Sequence, residues 1–168
     1  MGNHSLYDED ILLWSEQQAA ALRRLGEKRR DLPNELDLEN VAEEIESVGR
    51  SELAAVKSQI RLILAHLIKM LLEPESEAVR HWDGEIVSFH TEFLDRYAPS
   101  MRQRIDMDYL WRRSREQALR SYRGTPVQQA VTELRDGSPI ELDDLLAERL
   151  DSAALVERLR QMAAAEQG

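Results

Sequence analysis

Carboxylates crowd one short stretch of this chain. Asp37, Asn40 and Glu44 recur at spacings of three and four, and Glu39, Glu43 and Glu46 can share a second helix face. Carboxylates turned inward from helices can hold a divalent cation, as in di-metal bundles that combine glutamates with Glu-x-x-His pairs. No Glu-x-x-His occurs here; Glu77 and His81 stand four apart instead. His66 could reach Glu43 or Glu46 if the chain folded back at Gly49. Those three residues are therefore the candidate metal or acid/base set. The competing reading is an exposed acidic face paired with arginines, with His66 bonded to a neighbouring carboxylate to fix helix register. Lys69, one turn past His66, argues against a cation there, and no cofactor is expected.

A second constellation is basic. Arg102, Arg104, Arg112, Arg113, Arg115, Arg120 and Arg123 are interleaved with Tyr109, Trp111 and Tyr122, which could form a nucleic-acid surface over residues 102–123. Asp106, Asp108 and Glu116 dilute it, and a net charge of -10 repels a phosphate backbone. The acids between Glu133 and Asp151, Asp143 and Asp144 among them, offer these arginines a protein partner instead, within one chain or across a dimer. The aromatic stripe Trp82, Phe89, Phe93 and Tyr97 reads as core. Glycine-rich phosphate loops, His-Glu-x-x-His and Gly-x-Ser-x-Gly are all absent. The chain has no cysteine, so thiolate ligands and disulfides are excluded.

These residues need helices to position them. Glycine and proline are scarce and fall at helix-length intervals. A first helix is expected over about Tyr7 to Leu25, ended by Gly26. A second starts near Asp37, with Val41, Ile45 and Val48 as its apolar seam. The frame slips by one residue across Gly49, so a break or kink is expected there. The third carries Leu53, Val56, Ile60, Ile63, Leu67 and Met70, alternating three and four as a bundle seam does. Val79, Trp82, Ile86, Phe89 and Phe93 mark the fourth, stopped by Pro99. Ser100 with Gln103 is a possible capping box for the fifth, which ends at Gly124. Thr125-Pro126 and Ser138-Pro139 each open another helix, and a last segment starts near Asp151 or Ser152. No stretch alternates with period two.

The expected fold is all-α: a multi-helix antiparallel bundle of six to seven helices, the second to fifth forming the core, with a C-terminal helical extension. Residues 1–124 would form the main bundle, and 125–168 the extension packed on the same domain. The acidic opening MGNHSLYDED has neither the basic start nor the apolar core of a secretory signal. No apolar stretch is long enough to span a bilayer. The expectation is a cytoplasmic protein with no membrane partner.

The segment from Tyr7 to about Ile86 resembles the bacterial family known as domain of unknown function twenty-nine. The resemblance rests on Tyr7-Asp8-x-Asp10 followed by Trp14 and Gln18. It continues through Leu36-Asp37-x-x-Asn40-x-x-Glu43-Glu44-Ile45-Glu46-x-x-Gly49-Arg50, then His66-Leu67-Ile68-Lys69, Pro74 and Trp82. Met70 replaces the family's usual aromatic, and Glu73 its usual glutamine. The resemblance implies a small all-helical bacterial protein and no established activity.

The sequence therefore points first to a non-enzymatic interaction or regulatory module. Its partner would be another protein or a second copy, and its expected contact residues are Tyr7, Trp14, Arg112, Arg113, Asp143 and Asp144. The alternatives are a metal-dependent bundle enzyme using Glu43, Glu46 and His66, and nucleic-acid binding through residues 102–123.

Overall fold

The computed structural model describes residues 3–29 and 31–165, with side chains over 6–29 and 31–163. Among these residues there are eight α-helices, one 3-10 helix and no strand. In chain order they are α1 (Asn3–Glu9), α2 (Ile11–Lys28), α3 (Leu38–Leu72), α4 (Val79–Arg96), the 3-10 helix Pro99–Arg104, α5 (Met107–Ser121), α6 (Gln128–Thr132), α7 (Leu142–Leu145) and α8 (Ser152–Ala165). The chain divides into two compact units, one formed by residues 1–56 with 96–104, the other by 57–95 with 105–168.

In the first unit the single helix expected from Tyr7 onward is two. Asp10 separates them, with non-helical backbone, and caps α2 by accepting the Leu13 N–H at 3.0 Å. The same carboxylate accepts the Ser100 N–H at 2.8 Å and its hydroxyl at 2.6 Å, joining the start of α2 to the 3-10 helix. Ser100 is thus spent on Asp10 rather than on a capping box of its own. Gly26 does not end α2. It lies inside the last turn, where an added Cβ would stand 3.2 Å from the Leu38 side chain.

The expected break at Gly49 is absent, since α3 is one helix of 35 residues. It starts where Asp37 accepts the Asn40 N–H at 3.1 Å. Ala42, Gly49 and Val56 recur every seven residues on its inner face, and Ala42 and Val56 have no exposed surface. α2 buries Leu12, Ser15 and Ala19, and Leu12 and Ser15 lie against Gly49. Small residues on both helices let the backbones approach closely. A Cβ on Gly49 would meet the Leu12 Cα at 3.1 Å. The seam expected from Val41, Ile45 and Val48 is therefore on the wrong face: Val41 is 40% and Val48 44% exposed. Reading only large apolar residues as core misplaced it, because here the contact is made by the small ones. Gly49 marks a helix crossing rather than a break.

The second unit buries the expected third-helix stripe from Ile60 to Met70, whereas Leu53, in the first unit, stays half-buried. Ile60, Ile63, Leu64, Leu67 and Ile68 of α3 are fully buried, with Ile86 and Phe93 of α4. Trp111 of α5 inserts its ring and donates its indole N–H to the Arg135 carbonyl at 2.8 Å. Ser114 donates to the Arg61 carbonyl at 3.1 Å, tying α5 to α3. His90 of α4 is buried against the chain end of α7, with Nε2 2.9 Å from the Leu145 carbonyl. Ser152 at the start of α8 donates to Asp83 of α4. Of the aromatic stripe read as core, only Phe93 is buried; Trp82, Phe89 and Tyr97 remain partly exposed. The helix expected to open at Thr125-Pro126 is only the five residues of α6.

Candidate functional site

The acidic face of α3 is organised by one arginine from α2. Arg23 donates Nε to Glu39 at 3.0 Å and Nη1 to Glu46 at 2.7 Å, and its Nη2 lies 3.7 Å from Glu43. Arg50, one to two turns along α3, donates to Glu43 at 2.5 Å and approaches Glu46 at 3.6 Å. The bidentate grip on Glu46 is the geometry that a guanidinium fork favours. Hydrogen bonding by Arg23, then its charge and that of Arg50, holds the Glu46 carboxyl below its usual range. Glu46 and Glu39 in turn keep Arg23 more firmly protonated than usual.

His66 is elsewhere. It lies twenty residues past Glu46 on the same helix, in the second unit. The structure thus does not bring Glu43, Glu46 and His66 together, because the fold-back that would have done so does not occur. His66 is buried, with Nδ1 2.8 Å from the Leu62 carbonyl and Nε2 2.9 Å from Glu85 Oε2. Both ring nitrogens face oxygens, so neither is open to a substrate. Glu85 also receives the exposed His81 at 3.6 Å, and Phe89 meets the His66 ring edge-on at 5.3 Å. Next to this pair, the Lys69 ammonium sits over the Trp82 ring at 5.7 Å. Among the described residues no group of three or more His, Asp or Glu is arranged to hold a metal ion. Glu85, on α4, belongs to no motif, so nothing in the sequence pairs it with His66.

The residues expected to bind a partner are scattered. Tyr7, 52% exposed, packs edge-on against Trp14 at 4.8 Å, so this pair forms one aromatic surface on the first unit. Arg112 and Arg113 are exposed on α5, and Arg113 is paired within its own helix to Glu116 at 2.7 Å. Asp143 is exposed at the start of α7. Asp144 is used internally: it closes a capping box with Glu141 and accepts from Arg158 at 2.5 Å. Burial works to raise its carboxyl, but these bonds outweigh it and hold the group below the usual range. The expected attraction between the Arg-rich helix and the acidic arm is met by other residues. Arg115 pairs with Asp136 at 2.5 Å, and Asp108 of α5 accepts the Ser138 N–H at 2.7 Å.

A third surface emerges where the sequence had placed core. Val41 and Val48, with half-buried Ile45 between them, share a solvent-facing strip of α3 beside Asp37, Asn40, Glu44 and Ser47. Leu36, just before the helix, is also exposed. A count of how the small residues Ala42 and Gly49 repeat at seven would have revealed that the valines face outward.

This helical architecture, with its motif residues spent on caps, crossings and ion pairs, defines an all-α protein whose signature is largely structural. The chain belongs to the family described as domain of unknown function DUF29, which matches residues 6–151. It is also similar to an α-helical protein of unknown function from Rhodospirillum rubrum, solved as a crystal structure. The two are 38% identical with a TM-score of 0.79, over 91% of this chain and 96% of that one. No curated protein matches the chain. Among the described residues, no helix is long and apolar enough to cross a membrane.

Proposed function

We propose that this chain is a non-enzymatic helical interaction module, acting by docking helix faces on a protein partner. One contrast carries the reading. The groups that could do chemistry are engaged with one another, as His66 is with Leu62 and Glu85 and as Glu46 is with Arg23. Large apolar side chains meanwhile stay exposed on helix faces, Tyr7, Val41, Val48 and Tyr109 among them. Contiguous exposed apolar patches mark interaction sites, whereas scattered side chains need no explanation; Val41 and Val48 are contiguous through half-buried Ile45. The cytoplasm is the compartment this reading assumes, since an acidic chain without cysteine suits a reducing environment.

Photo-crosslinking in the native cell tests it, with a benzophenone amino acid placed in turn at Tyr7, Val41, Val48 and Tyr109. The expected result is a discrete protein adduct from at least one face, abolished when a neighbouring apolar residue on that face is made acidic. No adduct from any of the four positions overturns the module reading.

A further inference from the structure

We infer that His66 and Glu85 form a proton-dependent clasp that holds the start of α4 to α3. The clasp does not rest on the docking reading; it follows from counting hydrogen atoms. His66 is buried, with Nδ1 2.8 Å from the Leu62 carbonyl and Nε2 2.9 Å from Glu85 Oε2. A carbonyl oxygen only accepts, so the first bond needs a proton on Nδ1. The second bond then needs one more proton between Nε2 and Oε2. Once a proton leaves, a neutral ring has a single N–H for two acceptors. One ring lone pair then faces an oxygen at hydrogen-bond distance in a buried place, where an unmade bond costs most. Histidine is the side chain that exchanges its second proton near neutral pH, so a change of pH makes or unmakes this contact.

The surroundings confine the effect to the start of α4. On that helix His81 Nε2 approaches the same Glu85 oxygen at 3.6 Å, but its ring is exposed and solvent is its alternative partner. Phe89, also on α4, meets the His66 ring edge-on at 5.3 Å. On α3 the Lys69 ammonium is turned over the Trp82 ring at 5.7 Å. Further along α4, Glu92 accepts from the Gln59 amide of α3 at 2.6 Å. An amide keeps its protons through the range in which histidine loses one, so that tie holds at any pH near neutral. The tie at Glu85 is the proton-dependent one.

Amide hydrogen exchange on the purified full chain tests this, read after correction for the intrinsic pH dependence of exchange. The span from about pH 5.5 to about pH 8.5 covers the range of histidine titration. Across it, amides 83–89 are expected to lose protection at least about fivefold, the worth of one hydrogen bond, while amides 90–96 hold theirs. Glu85→Gln should remove the pH dependence with protection kept, because a side-chain amide accepts from a ring N–H or donates to a bare ring nitrogen. Glu85→Ala should remove it too, with protection low at both ends of the span. His81→Ala should leave it as in the native chain. Protection of amides 83–89 that ignores pH in the native chain, or that follows pH equally in Glu85→Gln, overturns the inference. Loss of the pH dependence in His81→Ala overturns it in favour of the exposed histidine.

Discussion

Gly49 of α3 lies directly against Leu12 of α2, so close that a Cβ on the glycine would stand 3.1 Å from the Leu12 Cα. The neighbour is backbone and cannot rotate away. Gly49→Ala gains helix propensity of about 1 kcal/mol, yet it must push the two helices apart. The clash is expected to win, with a net loss of about 1–3 kcal/mol, as for overpacking elsewhere. Urea denaturation of the variant measures it. Ser15→Ala in the same chain should recover part of the loss, because the Ser15 hydroxyl is the other group in the way.

The inner and outer faces of α3 should respond in opposite ways. Ala42 is fully buried and Val41 is exposed. Ala42→Leu is expected to cost about 1–3 kcal/mol by overpacking the crossing. Val41→Ser should change stability by no more than about 0.5 kcal/mol, as exposed substitutions do. Equal costs in thermal melts would mean that the valine face is the packed one.

Asp10 is buried and holds three donors: the Leu13 N–H, the Ser100 N–H and the Ser100 hydroxyl. Asp10→Ala removes a helix cap and leaves the Ser100 donors without their charged acceptor. The expected loss is about 2–4 kcal/mol, the sum of a lost cap and of hydrogen bonds to a charged group. Ser100→Ala keeps the cap and should cost less in the same denaturation series.

Acid should weaken the fold through the arginine-held carboxylates. Glu46, held by Arg23, and Asp144, held by Arg158 against the pull of burial, both ionise below their usual range in the folded chain. A depressed carboxyl contributes its stability above the pH at which the unfolded group titrates, about 4. That stability is lost as pH falls through the lower, folded value. Denaturation midpoints should therefore drop as pH is lowered below about 4. Glu46→Gln should flatten that drop while lowering stability at neutral pH. An unchanged acid profile in the variant would remove Glu46 from the account.

Helix identity was legible along most of the chain because it rests on local physics. The alternation of three and four from Val56 to Met70 buries one stripe, and proline ends helices by its own geometry. The family was legible too, since Leu36-Asp37, Glu43 to Glu46, Gly49-Arg50 and His66 to Lys69 keep their order in the chain. The candidate site was legible only as a set of residue types.

Partners were decided in three dimensions. Which face of α3 turns inward depends on how small a residue α2 needs at the crossing, so Ala42 and Gly49 outrank Val41 and Val48. His66 bonds Glu85 rather than Glu43 because the helix runs on through Gly49 instead of folding back. Periodicity says that a side chain is repeated on one face; only packing says what that face meets. Side-chain spacing along one helix is a short-range property, while burial and pairing depend on segments that the chain separates by tens of residues.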